Sequence, residues 1–239
     1  MSYQKFSQYY DRLMEDFPYR RYVDFIAPKP LTKGLDLCCG TGRMTALLAE
    51  RGVVMQGLDL SQDMLNQAIS TTRAKGLSVI YRCGDMRSFE FTSPYDLITV
   101  VSDGLNYVAP AELGALISHV SSALVSGGQL VFDVSTPYKL QRVLGDALYY
   151  EDYDDLTYFW QNTLHPDTCS VDLSLTFFER KGTLYERFDE EQTQYWHEWS
   201  QIEAACSAAG LRLVSRVDGD TFAKPKSSTC RWICKWIKP

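Results

Sequence analysis

The sequence lacks a long apolar run. Its longest, such as residues 97–101, are strand-sized and fall far below the roughly 18 residues of a membrane span, so no membrane partner is expected. The first residues, MSYQKFSQYYDRLMED, show no basic patch followed by an apolar block, and no export signal is read there. Basic residues are in the minority, 24 against 30 acidic ones, for a net charge of −6. That balance argues against a nucleic-acid backbone as partner. The seven cysteines are odd in number and form no C-x-x-C pair, so no disulfide framework is read, and reduced thiols in a cytoplasmic protein are expected. The three histidines do not pair with cysteines at ligand spacing, so no metal site is expected. No internal repeat or low-complexity tract is present. What remains is a chain of 239 residues, 45% hydrophobic, enough for one large domain or a domain with a small insertion.

From residue 34 to about 134 short apolar runs alternate with amphipathic stretches. Residues 34–37 read as a strand that ends in the turn 38–42. Met44, Leu47 and Leu48 recur at helical spacing until Gly52 can stop the helix. Residues 53–58 are a second strand, and Ser61 caps a helix with Met64, Leu65, Ala68 and Ile69 on one face, ended by Gly76. Residues 77–81 and 95–101 read as the third and fourth strands. Pro110 is expected to start a helix whose stripe is Leu113, Leu116, Ile117, Val120 and Leu124, with Gly127-Gly128 closing it before a fifth strand at 129–134. Continuously apolar strands separated by helices predict a doubly wound, mostly parallel α/β sheet of Rossmann-like type.

The chain then changes character. Residues 146–191 carry twelve acidic against three basic residues, a net −9 that leaves +3 elsewhere. Val171, Leu173, Leu175 and Phe177 alternate with polar partners, Lys181-Gly182 reads as a turn, residues 183–188 as a return strand and residues 165–168 as another turn. These features predict an antiparallel meander, residues 146–199, inserted into a domain made of residues 1–145 and 200–239. Ser200-Gln-Ile-Glu203 has the form of a capping box for a further helix, which Gly210 ends. Two strands, 211–217 and 231–237, close the chain.

LDLCCGTGRMT, residues 35–45, places a strand, a glycine turn and a helix start in order. Gly40 and Gly42 allow a ligand to approach backbone amides, and a helix N-terminus favours an anionic group. Such a turn is shared by many nucleotide binders. Its neighbours discriminate: Asp36 on the first strand, Asp59 after the second and Asp85 after the third bring three carboxylates to one edge of the sheet. A dinucleotide would set its pyrophosphate against like charge there. S-adenosylmethionine has no phosphate and is net positive, so it suits an acidic cradle. Asp59 would then accept both ribose hydroxyls, and Asp85 the adenine amino proton with Met86 over the ring.

Asp36-Leu-Cys-Cys-Gly-Thr-Gly42, Gly57-Leu-Asp-Leu-Ser61 with Met64-Leu65, Gly84-Asp85-Met86 and Pro94-Tyr-Asp-Leu-Ile98 resemble the successive motifs of class I S-adenosylmethionine-dependent methyltransferases. The likeness spans about residues 9–140. Tyr10-Asp-x-Leu-Met-x-Asp-x-Pro-Tyr19 and Phe132-Asp-Val-Ser-Thr-Pro-Tyr-Lys139 resemble a group of poorly characterised bacterial small-molecule methyltransferases. The resemblance implies a seven-stranded sheet whose last strand inserts antiparallel. It also implies a cofactor site drawn from Tyr10, Asp36, Cys38, Gly40, Gly42, Asp59, Leu60, Asp85, Met86 and Ser102. Cys38 departs from the pattern, standing where the first glycine of the turn is usual.

The acceptor is expected to be a small molecule. The acidic, aromatic insertion suits an amine through cation–π contact and charge pairing; the plainer alternative is that strands favour aromatics and surfaces favour acids. Asp103, Asn106 and Tyr107, after the fourth strand, and His197 are candidates to orient or deprotonate it, although a turn using Asn106 for backbone work reads equally well. Tyr9, Tyr10, Leu13, Met14 and Phe17 form one stripe of a first helix, a lid packed on the sheet. Two rival readings stay open, an NAD-dependent oxidoreductase and a catalytically silent methyltransferase-like binding module. A homodimer is left open as well.

Overall fold

The computed structural model describes residues 7–27, 32–91 and 93–239. Seven strands form one sheet in the order β10-β11-β5-β4-β1-β2-β3: β1 (Lys33–Leu37), β2 (Val54–Asp59), β3 (Ile80–Cys83), β4 (Tyr95–Val100), β5 (Leu124–Ser135), β10 (Arg212–Asp218) and β11 (Arg231–Ile237). Neighbours β1 to β5 pair in parallel, whereas β11 runs antiparallel to both β5 and β10. Helices α3 (Arg43–Glu50), α4 (Gln62–Ala74), α5 (Leu113–Ser122) and α6 (Trp199–Ala208) connect the strands. The central strands carry apolar residues on both faces because both faces are covered. One core holds Leu35, Ile98, Leu116, Phe132 and Trp236, and the opposite one holds Leu48, Met55, Leu97, Val131 and Ile233.

Order reverses between β1 and β4, so the loops after β1, β2, β3 and β4 meet at one edge, the crevice where open α/β sheets bind ligands. A four-stranded antiparallel sheet, β6 (Leu148–Asp152), β7 (Leu156–His165), β8 (Ser170–Lys181) and β9 (Leu184–Tyr195), lies within residues 146–199. Its inner face buries Val171, Leu173, Leu175 and Phe177, with Phe177 stacked on Phe188 at 4.7 Å.

Several boundaries differ from expectation. The third strand starts at Ile80 rather than residue 77, because this edge strand pairs only with β2, from Gln56↔Ile80 to Asp59↔Cys83. Pro110 lies in a turn and α5 begins three residues later at Leu113. Leu124 leaves the helix stripe to open β5 opposite Tyr95. Gly127, at φ +82°, does not close the helix but bends the strand between the Leu124 and Gln129 pairings, where its N–H bonds the Lys238 carbonyl. The capping box sits two residues early, with the Gln201 side chain accepting from the Glu198 N–H at 2.8 Å. The first helix, α1 (Ser7–Leu13), stops before Pro18, and a second, α2 (Tyr19–Ile26), packs on the sheet in its place. Tyr9, Tyr10 and Leu13 of α1 join the apolar cluster under the meander instead. No described helix is long and apolar enough to cross a membrane.

Candidate functional site

A cavity of about 530 Å³ opens at the crevice, between the ends of β1, β2, β3 and β4 and the first turn of α4. Tyr10 of α1 and Tyr107, in a short 3-10 turn after β4, close its other side.

Asp59, Asp36 and Asp85 are each held by named donors. Asp59 ends β2, and its carboxylate accepts the Gly40 N–H at 2.8 Å and the Ser61 N–H at 2.9 Å, clamping the glycine turn to the start of α4. Asp59 also lines the cavity, and burial raises its pKa against the help of these backbone donors. Asp36 lies behind the turn, fully buried, accepting Thr45 Oγ1 at 2.5 Å and Thr99 Oγ1 at 2.6 Å. Its carboxyl is pushed up to about 6 by burial, against the help of those two hydroxyls. Asp85 is drawn the other way: hydrogen bonds from Arg87, 2.6 Å at the shortest, lower its pKa, and Arg87 also reaches Glu112.

The glycine turn itself is tight. Gly42 has φ +75°, and a Cβ there would meet Tyr81 Oη at 2.6 Å and Ala68 Cβ at 2.8 Å. Cys38 adopts φ +55°, a left-handed conformation that explains why glycine would serve there. Its sulfur lies 3.4 Å from Met86 Sδ, so the side chain fills the wall beside the residue expected to cover a ring. A second, narrow cleft adjoins the turn, lined by Tyr10, Tyr19, Asp36, Arg43 and Ser102. Three consecutive residues of α1 hold three parts of the molecule. Tyr10 lines the cavity, Asp11 accepts Thr41 Oγ1 of the turn at 2.6 Å, and Arg12 pairs with Asp155 of the meander at 2.8 Å.

A family model described as a methyltransferase domain matches residues 35–128. A putative methyltransferase of Bacillus subtilis, YqeM, is 32% identical over 98% of this chain and 96% of its own. A putative methyltransferase of a Geobacillus strain is 30% identical over 97% of both chains. The crystal structure of an S-adenosylmethionine-dependent methyltransferase from Clostridium acetobutylicum superposes with a TM-score of 0.90, at 32% identity and 98% of both chains.

The chain belongs to the S-adenosylmethionine-dependent methyltransferases.

S-adenosylmethionine is thus the cofactor of this methyltransferase, and the residues present fit it. Three carboxylates, Asp59, Asp63 and Asp85, line the cavity, and Arg87, the basic residue among the described lining residues, is already paired. The Gly40 amide that a pyrophosphate would use is given to Asp59, which disfavours the dinucleotide alternative.

Of the residues singled out from sequence, Tyr10, Cys38, Gly40, Asp59, Leu60, Asp85, Met86, Ser102 and Tyr107 line the cavity. Asp36 touches only the narrow cleft, and Gly42 lines neither, serving as the left-handed start of α3. The structure does not bring Asp103, Asn106 and His197 to the cavity. Asn106 spends its amide on the Ser135 and Tyr195 carbonyls and the Ser135 N–H, as the backbone alternative anticipates. His197 is buried with Nε2 3.3 Å from the Leu105 carbonyl, and burial lowers its pKa. Burial disfavours the Asp103 carboxylate, but Arg231 and Lys139 overcome this and hold it well below the usual range. Sequence reasoning missed Asp63, Cys83, Arg87 and Arg43. The first lies in the first turn of α4, four residues after Asp59, where the helix start joins the cavity wall.

Proposed function

We propose that this methyltransferase methylates a small-molecule amine, held in the crevice cavity beside Tyr107. The observation that carries this reading is the cavity lining, in which Asp59, Asp63 and Asp85 stand against Arg87, already paired; the acceptor's place follows from Tyr107. It lines the cavity, donates its hydroxyl proton to Gln192 Oε1 of β9 at 2.7 Å, and receives Gln194 Nε2 at 3.3 Å. One side chain therefore ties the cavity wall to β9 of the meander. The chain would act as a cytoplasmic enzyme, with residues 1–145 and 200–239 as the cofactor domain and 146–199 as its substrate-covering insertion.

S-adenosylmethionine supplies an electrophilic methyl group on a sulfonium. In this reading Asp59 binds the ribose hydroxyls, Asp85 and Met86 hold the adenine, and the amino-acid tail points toward the cleft of Tyr10, Tyr19, Arg43 and Ser102. The cavity's carboxylates favour a cationic donor and a cationic or amine acceptor alike. Of the four catalytic candidates, Tyr107 alone lines the cavity, and a general base is not part of the proposal. Holding the acceptor nitrogen about 3–3.5 Å from the methyl carbon, in line, can supply much of the rate. Amines need only lose a proton before attack, so a site without a dedicated base suits them better than alcohols.

The test is calorimetry with S-adenosylhomocysteine followed by turnover on a panel of small amines, carboxylic acids and phenols. Turnover of amines is the expected result. Turnover of acids or phenols alone rejects the amine assignment, and failure to bind S-adenosylhomocysteine rejects the site.

A further inference from the structure

We propose that Arg231, on the last strand of the chain, is a positioning residue that sets the tail end of the donor site through a buried clamp on Ser102 and Asp103. The proposal rests on the reading that the donor's amino-acid tail lies toward Ser102.

Arg231 stands opposite Ser135 of β5, and its side chain is only 12% exposed. The guanidinium reaches Asp103 Oδ2 at 2.7 Å and Asp133 Oδ1 at 3.1 Å. Asp133 is fully buried and accepts the Ser102 N–H at 3.0 Å and the Asp103 N–H at 2.8 Å. Ser135 Oγ gives a further hydrogen bond to Asp103 at 2.6 Å, and Lys139 Nζ lies 3.8 Å from it. The two carboxylates thus share Arg231, and Lys139 stands beside Asp103.

The turn needs this support. Ser102 and Asp103 both occupy the left-handed region, at φ +59° and +66°, and neither is glycine. Non-glycine residues persist there only where the surroundings over-determine them. The clamp also has a direction. In a trans peptide the carbonyl of one residue points opposite to the N–H of the next. Giving the Ser102 and Asp103 N–H groups to Asp133 therefore turns the Val101 and Ser102 carbonyls away from that carboxylate. Ser102 lines both the cavity and the narrow cleft, so Arg231 governs the backbone of a residue that the donor meets without meeting the donor itself. Room for the arginine stem is built in: a Cβ on Gly219 would lie 2.9 Å from Arg231 Cδ.

Two probes separate positioning from general stability. S-adenosylhomocysteine carries the amino-acid tail, whereas 5′-methylthioadenosine shares the adenosine and lacks the tail. Calorimetry on the wild type, Arg231→Met and Asp103→Asn is expected to show S-adenosylhomocysteine weakened by about tenfold or more in the first variant and about threefold or more in the second. Affinity for 5′-methylthioadenosine is expected to stay within about twofold. Should Arg231→Met fail to fold, Asp103→Asn decides alone, because it keeps the shape of the site and removes one charge. Equal weakening of both probes, or unchanged affinity for S-adenosylhomocysteine, overturns the proposal. A wild type that binds the two probes equally tightly would instead overturn the underlying placement of the tail.

Discussion

The crevice edge of the large sheet and the meander are both rich in carboxylates, but to opposite effect. At the edge, Asp36, Asp59 and Asp133 are each taken into the protein and matched to two hydroxyl or N–H donors. On the meander Asp155, Asp189 and Glu179 stand at or near the surface, paired with Arg12, Arg187 and Lys181. Ion pairs in water gain little, whereas an acceptor buried against several donors shapes the backbone around it. The same residue type thus fixes the loops of the crevice edge in one sheet and makes a solvated surface in the other, and burial makes the difference.

That contrast can be broken most forcefully at Asp133. Replacing it by alanine leaves two buried loop amides without an acceptor and Arg231 with Asp103 as its remaining carboxylate, and urea unfolding is expected to show a loss of about 3–5 kcal/mol; a loss like that of a surface substitution would erase the contrast. Asp36 tests its electrostatic side. Its carboxyl shifts from 3.8 when unfolded to about 6 when folded, so its contribution to stability is complete below the lower value and is lost as pH rises through the higher one. Between about pH 4 and about pH 7, the wild type is expected to lose on the order of 2–3 kcal/mol that Asp36→Asn does not. Parallel stability–pH curves for the two proteins would show that the carboxylate ionises as freely as an exposed one.

Asp59→Ala is expected to weaken S-adenosylhomocysteine by about 1.5–3 kcal/mol in calorimetry, since it removes charged hydrogen bonds to the ligand and to the turn. Unchanged affinity would take Asp59 out of the site. The smallest effect belongs to the meander: Asp155→Ala is expected to leave the thermal midpoint unchanged within measurement, because its pairing with Arg12 is solvent-exposed. A clear drop there would mean that the clasp between α1 and the meander bears on the whole fold.

The crevice edge is the more legible region. The glycine turn, Asp59 and Asp85 follow one another at the ends of successive strands, so local order in the chain already predicts their meeting, whereas Asp36 turns behind them into the core. The helix cap at Ser61 was equally local, its hydroxyl accepting the Met64 N–H at 3.3 Å. Boundaries were less legible where pairing decides them, as at Ile80 and Leu124. Asp103 read as a candidate base because it follows the fourth strand, yet its chemistry is set by Arg231, 128 positions away. Nothing near either residue announces the other.

Strand and helix periods, glycines at the turn and the succession of strand-end acids were set by the chain alone, because hydrophobic alternation and backbone sterics act over a few residues. Which acid faces a ligand, which is clamped by an arginine and which stays in water was decided only when distant segments packed. Electrostatic character depends on burial and on neighbours in space, and neither exists until the sheet closes around them.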